Sequence, residues 1–430
     1  MTTGTPLRVL VHLNNLEIGG TQINAVDLAA QLRDHGVESI LLGSRETLPS
    51  GPSLFEVAAA RGLTIHLYDP APTIFPRARQ VAAIARQHRV DLVHVYGSWG
   101  GGTRPTYWGP SLFARTPWVQ TVYEMSVPPK NYRHMPMIVG TEYQRDDERE
   151  RPGRTILISP PVDLVQNHPD LHDGRLFRAE HQIDDGPLLV IVSRLDVIMK
   201  TVPTLAAIDA MRVLAAAGAT LAIVGTGDNV PAIQARADAV NAQVGRNAVR
   251  LVGTMADPRA AYGAADIMLG MGGSAARSLA FGKPLVAQGE AGWSALFELG
   301  SAATLARSSY WSAEPVADPA ARLVAIIAPL LADAGRRAEL GSFGRAFAEQ
   351  RFGLAAMAER LDEFYRTARA EYTTRAWLAD LPIEARMLSA KIARTIRATL
   401  GAAPVAEDAW AAPAAPASTT ISAPAAEERA

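Results

Sequence analysis

The chain of 430 residues alternates short apolar runs with helical segments, and this alternation constrains its fold more than any other feature. The runs are of strand length and show little polar alternation, which is typical of strands buried on both faces of a parallel sheet. The rhythm starts at Leu7 and starts again at Leu188. We therefore predict an α/β chain with two Rossmann-like, doubly wound domains.

The length also favours two hydrophobic cores rather than one. We place an N-terminal Rossmann-like domain at residues 1–165 and a second Rossmann-like domain at residues 187–365, with a polar linker at residues 166–186 between them. Residues 366–400 are Ala- and Arg-rich and predict further helices. Residues 401–430 form an Ala/Pro-rich tail with too few periodic apolar residues to fold, so we expect disorder there.

Composition excludes several classes of partner and site. The formal net charge is −1, so no basic surplus favours nucleic acid as a partner. The chain has no Cys, which excludes disulfides, thiolate metal sites and a cysteine nucleophile. We find neither a signal-peptide pattern nor a membrane-spanning apolar run, so we expect a cytoplasmic protein without a transmembrane segment. Peripheral contact with a membrane stays open.

Two cations follow the strand that starts the second half. Arg194 comes just after the apolar run Leu188–Val192, and Lys200 precedes an Ala-rich helical segment. Only four of the 42 Lys and Arg residues are Lys, so a Lys here is unusual for this chain. In open α/β sheets, ligands bind beyond the carboxyl ends of the strands, where helix N-termini favour anions. We predict that Arg194 and Lys200 bind an anion. The alternative is a solvated Lys at a helix start.

Glycine turns follow several predicted strands and would let backbone N–H groups approach a phosphate or sugar. The turns comprise Gly19-Gly20, Gly225-Thr226-Gly227 and the segment with Gly273 and Ser274. Tight turns without a ligand are the alternative.

These turns do not match the glycine motifs of three other classes of enzyme. Val230 replaces the third glycine of a dinucleotide fingerprint, and Lys283 is followed by Pro284, which excludes a Walker loop. No His follows His181, so Ser274 is not the nucleophile of a hydrolase triad.

A Gly-rich loop with aromatic residues follows the strand that ends near Tyr96 in the first half. Aromatic faces stack on sugars, which favours binding of an acceptor here over a packed surface loop, although both remain open. Tyr123 and Glu124 follow the next strand and would reach the same edge. The acceptor-side candidates are Trp99, Arg104, Tyr107, Trp108, Tyr123 and Glu124.

Jointly, these motifs resemble family 4 glycosyltransferases, which have the GT-B architecture of two Rossmann-like domains facing a cleft. The resemblance covers about residues 7–365. It rests on Gly19-Gly20, Pro161-Val162-Asp163, Ser193-Arg194-Leu195 with Lys200, Gly225-Thr226-Gly227, Val252-Gly253, Ala265-Asp266 and Leu279 to Pro284.

The resemblance implies transfer of a sugar from a nucleotide-sugar donor with retention of anomeric configuration and without a cofactor or required metal. It implies that the C-terminal half holds the donor and the N-terminal half the acceptor, which is a small molecule, glycan or lipid. Arg194 and Lys200 would hold the donor diphosphate, and Gly19-Gly20 would close over it. The final helices would cross back onto the first domain.

The sequence departs from this family at one pair of residues. Arg277 stands where relatives carry the second Glu of a Glu-x7-Glu pair that binds ribose hydroxyls, and Leu269 or Gly270 stands where the first would be. An Arg only donates hydrogen bonds. Glu290, after the next strand, is a candidate for the lost carboxylate, and an exposed loop Glu is the alternative. Arg194 and Lys200 are also one residue further apart than usual.

Two other functions therefore remain open. The chain would be a catalytically degenerate sugar-nucleotide binder or partner subunit if the missing Glu pair abolishes turnover. A sugar-nucleotide epimerase of the same architecture is the other alternative, because fold alone does not fix the reaction.

Overall fold

The computed structural model describes residues 6–48, 53–97, 102–124, 126–197, 199–255 and 257–399. Two largely parallel sheets with helices on both faces confirm the predicted fold class.

The N-terminal domain contains seven parallel strands in the order β3-β2-β1-β4-β5-β6-β7. Its elements are β1 (Leu7–Leu13), α1 (Gly20–Gln31), β2 (Val37–Ser44), α2 (Leu54–Ala60), β3 (Ile65–Tyr68), α3 (Ile74–Gln87), β4 (Leu92–Tyr96), α4 (Thr103–Thr106), β5 (Trp118–Val122), β6 (Met137–Val139), α5 (Glu142–Asp147) and β7 (Thr155–Leu157). A short helix, α6 (Gly174–Glu180), follows.

The C-terminal domain has six strands in the order β10-β9-β8-β11-β12-β13, of which only β13 is antiparallel. Its elements are β8 (Leu188–Val192), α7 (Thr201–Leu214), β9 (Thr220–Val224), α8 (Val230–Val244), β10 (Val249–Gly253), α9 (Arg259–Ala264), β11 (Ile267–Gly270), α10 (Gly272–Ala280), β12 (Leu285–Gln288), β13 (Ser294–Leu296), α11 (Ala302–Arg307), α12 (Pro319–Ala332) and α13 (Ala334–Phe352). Three further helices end the described chain, namely α14 (Leu354–Glu371), α15 (Thr374–Ala379) and α16 (Leu381–Thr399).

In both sheets the first strand of the domain is an interior strand, between the second strand and the fourth. β1 pairs with β2 and β4, and β8 pairs with β9 and β11. The strand order reverses beside each first strand, which is where open α/β sheets form their ligand crevice. The continuous apolar runs that predict the strands are therefore buried because helices cover both faces of each sheet.

The chain crosses between the domains twice, and the two crossings bond to each other. The N–H of Val162 donates to the carbonyl of Phe352, and the N–H of Leu354 donates back to the carbonyl of Val162, each at 3.0 Å. Arg345 strengthens the joint by donating from its guanidinium to the carbonyls of Leu164, Asn167 and Ala280. The domains are thus tied at one point by backbone hydrogen bonds.

Helix α14 belongs to the core of the N-terminal domain. Its buried face packs against α1 and the sheet through Leu354, Met357, Leu361, Phe364 and Tyr365. Tyr365 also bonds through its hydroxyl to Nδ1 of the buried His94, at 2.6 Å. The chain therefore returns from the C-terminal to the N-terminal domain at Gly353. The end of the C-terminal domain that was predicted at residue 365 lies inside α14.

Two other segments differ from the sequence-based expectation. The predicted linker, residues 166–186, contains α6, whose Phe177 is buried in the core of the C-terminal domain, so much of this segment belongs to that domain. The segment predicted as a loop through Trp108 is helical from Thr103 to Ser111. The predicted tail, residues 401–430, lies outside the described residues.

We expect Leu361→Ala to lower the free energy of unfolding by about 2–5 kcal/mol, because Leu361 is 1% exposed and its truncation leaves a cavity. Arg360→Ala, at the neighbouring exposed position of α14, should change it by less than about 0.5 kcal/mol. Urea denaturation of both variants measures the difference. Equal stabilities would contradict the assignment of α14 to the N-terminal core.

Candidate functional site

A pocket of about 280 Å³ lies at the carboxyl ends of the strands of the C-terminal domain. Segments that follow β8, β9, β10 and β11 meet there, as expected for a crevice beside the reversal of strand order. The lining residues are Val192, Ser193, Arg194, Val224, Gly225, Thr226, Thr254, Met255, Pro258, Tyr262, Ser274 and Arg277. Three of the predicted C-terminal donor residues, Gly225, Ser274 and Arg277, are thereby brought together with Arg194.

The floor of this pocket depends on a close approach between two backbone segments. The N–H of Ser193 donates to the carbonyl of Val224 at 3.0 Å, and the N–H of Leu195 donates to the carbonyl of Thr226 at 2.9 Å. A Cβ at Gly225 would lie 1.8 Å from the Ser193 carbonyl oxygen, and its φ of +138° is unfavourable for other residues. Gly227 is constrained by space but not by its φ angle, since a Cβ there would lie 2.3 Å from the Leu195 carbonyl oxygen.

The charged side chains that line the pocket are two arginines, with no carboxylate among the lining residues. Arg194 is exposed at the pocket. Nε of Arg277 is buried and has no hydrogen-bond partner among the described residues, and the guanidinium carbon lies 5.9 Å from the ring centroid of Tyr262. Tyr262 is buried and stacks on Phe281. The electrostatics of the pocket therefore favour an anionic ligand.

Lys200 stands at the N-cap of α7, close enough to Arg194 and Glu290 to interact electrostatically with both. Burial lowers the pKa of its ammonium to about 8, Asp196 and Glu290 oppose this, and Arg194 lowers it further. Arg194 and Glu290, both predicted site residues, thus act on the charge of Lys200. A half-buried ammonium beside a guanidinium is costly unless an anion compensates both.

Three helices, α7, α8 and α10, begin at this edge of the sheet without a compensating side chain, and two of them, α7 and α10, carry the predicted site residues Lys200 and Ser274 near their starts. Neither α7 nor α10 has a side-chain hydrogen bond at its N-cap or an acidic residue in its first turn. The N–H of Gly272 at the start of α10 already donates to the carbonyl of Ser309, but the positive ends of both helix dipoles remain available to an anion. Gly273 lies in the first turn of α10, and a Cβ there would have no atom within 4 Å, so this end of the helix is open.

The N-terminal domain faces Arg277 through α1. Burial raises the pKa of the Asp27 carboxyl in α1, the bonded Arg61 lowers it, Asp163 raises it, and Arg277 from the C-terminal domain lowers it. The charge of Arg277 in α10 thus acts on a carboxyl of α1. Gly19 is the N-cap of α1 and Gly20 its exposed first residue, which places the predicted glycine turn at the carboxyl end of β1.

Tyr123 and Glu124 follow β5 at the carboxyl edge of the N-terminal sheet. Burial raises the pKa of the Tyr123 hydroxyl, which has no hydrogen-bond partner among the described residues. The side chain of Glu124 lies beside Gly97, and its backbone carbonyl accepts a hydrogen bond from Gln144 at 2.6 Å. Both residues therefore lie at the predicted edge of the sheet, and their contact with an acceptor stays a prediction. Trp99 lies outside the described residues.

The other three acceptor-side candidates lie elsewhere. Tyr107 is fully buried and stacks between Tyr132 and Trp377, with ring centroids 4.1 and 4.9 Å away. Arg104 and Trp108 both donate to the carboxylate of the buried Glu384 in α16. They connect the N-terminal domain to the last two helices, with Arg104 and Trp108 partly exposed. Burial leaves Tyr107 no open face for an acceptor, whereas contact of Arg104 and Trp108 with an acceptor stays a prediction.

Sequence reasoning missed several lining residues, among them Thr254, Met255, Pro258 and Tyr262. Thr254 and Met255 follow the carboxyl end of β10, so the strand-end rule applied to every predicted strand would have found them. Tyr262 has no such signal, because its position depends on packing between α9 and Phe281. Among the described residues, no group of three or more His, Asp or Glu is placed to hold a metal ion. Independence from metal stays a prediction.

No protein-family model matches the sequence, and no curated protein does. Solved structures do match. A glycosyltransferase from Rickettsia africae has a TM-score of 0.68 at 16% identity, over 86% of this chain and 100% of its own. HepE from Anabaena, solved with UDP and glucose, has a TM-score of 0.63 at 17% identity, over 84% and 99%. WaaG, a glycosyltransferase of lipopolysaccharide biosynthesis, has a TM-score of 0.54 at 13% identity, over 83% and 99%. The chain therefore has the GT-B fold.

We expect Gly225→Ala to destabilise the protein by about 2 kcal/mol or more, because the methyl group meets the Ser193 carbonyl and the φ angle is strained. Gly273→Ala is the matched control, since its Cβ would have nothing within 4 Å, and its stability should be unchanged or slightly higher. Urea denaturation distinguishes the two. Unchanged stability of Gly225→Ala would refute the close approach of the β8 and β9 turns.

Proposed function

We propose that this protein is a glycosyltransferase of the family 4 type, which transfers a sugar from a nucleotide-sugar to an acceptor with retention of anomeric configuration. The observation that carries the proposal is the pocket with Arg194 and Arg277 and no lining carboxylate, adjoined by Lys200 and two uncapped helix N-termini. The solved neighbours support it, because they include glycosyltransferases and a complex with UDP and glucose.

In this proposal Arg194 and Lys200 hold the diphosphate of the donor. When the bond between the sugar and the diphosphate breaks, the electron pair stays on the phosphate oxygen and negative charge develops there. Fixed cations and helix N-termini stabilise this charge more than the ground state, which accelerates the step. Because burial lowers the pKa of Lys200, a bound diphosphate also relieves the cost of keeping its ammonium charged.

Arg277 gives the nucleoside side of the pocket a different hydrogen-bonding character from that of a glutamate. Its N–H groups donate to hydroxyl or carbonyl oxygens, whereas hydroxyl protons of the ligand need other acceptors. Glu290 interacts with Lys200, so it is positioned to serve the diphosphate or sugar side. Tyr123 and Glu124 would contact the acceptor from the opposite domain. No metal is needed in this arrangement, since cations of the chain compensate the diphosphate.

We expect Arg194→Ala to lower kcat/KM for the donor by about 10²–10³-fold, as for loss of a group that stabilises transition-state charge. UDP-glucose is the first probe, because a neighbour binds UDP and glucose, and other nucleotide-sugars follow. Nucleotide release measures turnover. Arg236→Ala is the control, since Arg236 pairs with Asp209 on the surface of the same domain. Equal turnover of Arg194→Ala and the unmodified protein would overturn the assignment.

Donor affinity should fall as pH rises through about 8, where Lys200 of the free protein loses its proton. A bound diphosphate raises this pKa, so binding above pH 8 takes up a proton, and affinity drops by up to about tenfold per pH unit. Isothermal titration of donor between pH 7 and pH 9 measures the effect.

Lys200→Arg is the control for this pH dependence. An arginine stays protonated throughout the range, so the variant should bind donor with an affinity that does not change between pH 7 and pH 9. A pH slope that persists in Lys200→Arg would assign the titration to another group.

A catalytically degenerate sugar-nucleotide binder is the second candidate. The absence of any carboxylate among the lining residues favours it, because hydroxyl recognition by a Glu pair is missing. The two candidates differ in turnover but not in binding. Stabilisation by a nucleotide-sugar in a thermal-shift screen, with no nucleotide release for any acceptor tested, would support the binder and exclude the transferase.

A further inference from the structure

The last described helix, α16, starts inside the protein and then leaves it. Near its start, the carboxylate of Glu384 is 5% exposed and accepts hydrogen bonds from Arg104, Trp108 and Tyr132. Further along, Leu388 and Ile392 are 55% and 50% exposed. The first turn of α16 is therefore fixed to the N-terminal domain, whereas the following turns project an apolar side into solvent.

The exposed apolar residues share one face of the helix. Leu388 and Ile392 are four residues apart, and the exposed Ala385 precedes Leu388 by three, so all three lie on one stripe. In the sequence the same interval continues at Ile396. Such a stripe is a liability in water unless something covers it.

The charged residues of this segment are all basic. From residue 385 to residue 399 the sequence contains Arg386, Lys391, Arg394 and Arg397 and no acidic residue, although the whole chain has a net charge of −1. Arg386 is exposed in the structure. On an ideal helical projection of the sequence, positions 386 and 391 flank the apolar stripe on its two sides, and positions 394 and 397 fall opposite it. The segment thus combines an apolar stripe with a cationic face.

We propose that α16 docks on the surface of an anionic lipid bilayer. A helix with an apolar face and a Lys/Arg-rich polar face lies in the interface plane, where the apolar face enters the acyl boundary and the cations meet lipid phosphates. Among the described residues no helix is long and apolar enough to cross a membrane, so this contact is peripheral. Charge complementarity selects an anionic lipid, and the exposed stripe selects a surface with an apolar interior over a nucleic acid.

The contacts of Glu384 give this docking a structural consequence. They bind α16 to the segment Thr103–Ser111 and to Tyr132, all of which belong to the N-terminal domain. A membrane-bound α16 would therefore hold the N-terminal domain at the lipid surface. The inference does not depend on sugar transfer, because it uses no residue of the C-terminal pocket.

The test is flotation of the full chain with vesicles of phosphatidylcholine, with and without phosphatidylglycerol. We expect binding to the vesicles with phosphatidylglycerol and little to the neutral ones, and added salt should weaken it. Leu388→Ser with Ile392→Ser should reduce the bound fraction about tenfold or more, since both side chains lose their transfer from water. Arg386→Glu should also reduce it. Arg236→Glu, on α8, is the matched control and should bind like the unmodified chain.

A second measurement separates docking from mere electrostatic adsorption. Ile392→Trp should shift its fluorescence to shorter wavelength with anionic vesicles if this face enters the acyl boundary. Thermal unfolding checks that the variants fold, which we expect because the substituted residues are exposed. No binding to anionic vesicles, or binding that survives Leu388→Ser with Ile392→Ser, would overturn the proposal. So would a dimer in analytical ultracentrifugation that this double substitution dissociates, because a second copy would then cover the stripe.

Discussion

The paired crossing between the domains is the constraint on which the rest of the structure depends. The hydrogen bonds of Val162 with Phe352 and Leu354 join the outgoing and returning chain, and Arg345 adds bonds to three carbonyls around them. Ion pairs of Arg351 with Glu142 and of Arg307 with Asp146 add further links, both at 2.5 Å. With the domains tied at this joint, the charge of Arg277 in α10 acts on the carboxyl of Asp27 in α1.

The candidate site combines backbone geometry with positive charge that the nearby carboxylates of Asp196 and Glu290 compensate only in part. Glycines at the β9 turn let it approach the β8 turn, and this approach places Arg194 beside the pocket. The chain then keeps Lys200 half-buried and leaves two helix N-termini without capping side chains. Each of these features lowers stability in the unliganded protein, and an anionic ligand would relieve all of them. That shared cost is the physical argument for a ligand with a diphosphate.

The last described helices are attached to the N-terminal domain by buried carboxylates, which their composition does not indicate. The carboxylate of Glu384 accepts hydrogen bonds from the side chains of Arg104, Trp108 and Tyr132. The carboxylate of Asp380 accepts hydrogen bonds from the backbone N–H groups of Arg133 and His134. Aromatic and basic residues that suggest a sugar-binding loop are thereby used for attachment of α15 and α16. The same attachment leaves the later turns of α16 exposed, so one set of contacts both stabilises the N-terminal domain and presents a surface.

The sequence by itself determined the α/β class, the two domains, most strands and the placement of Arg194, Gly225 and Ser274 at strand ends, because strand periodicity and strand-end position are local properties. Only the tertiary structure decided which of these residues meet. Tyr107 and Trp108 pack against α15 and α16, and Tyr262 lines the pocket. The chain returns to the N-terminal domain at Gly353, earlier than the predicted boundary. These outcomes depend on contacts between residues far apart in the chain, and a local pattern carries no information about such contacts.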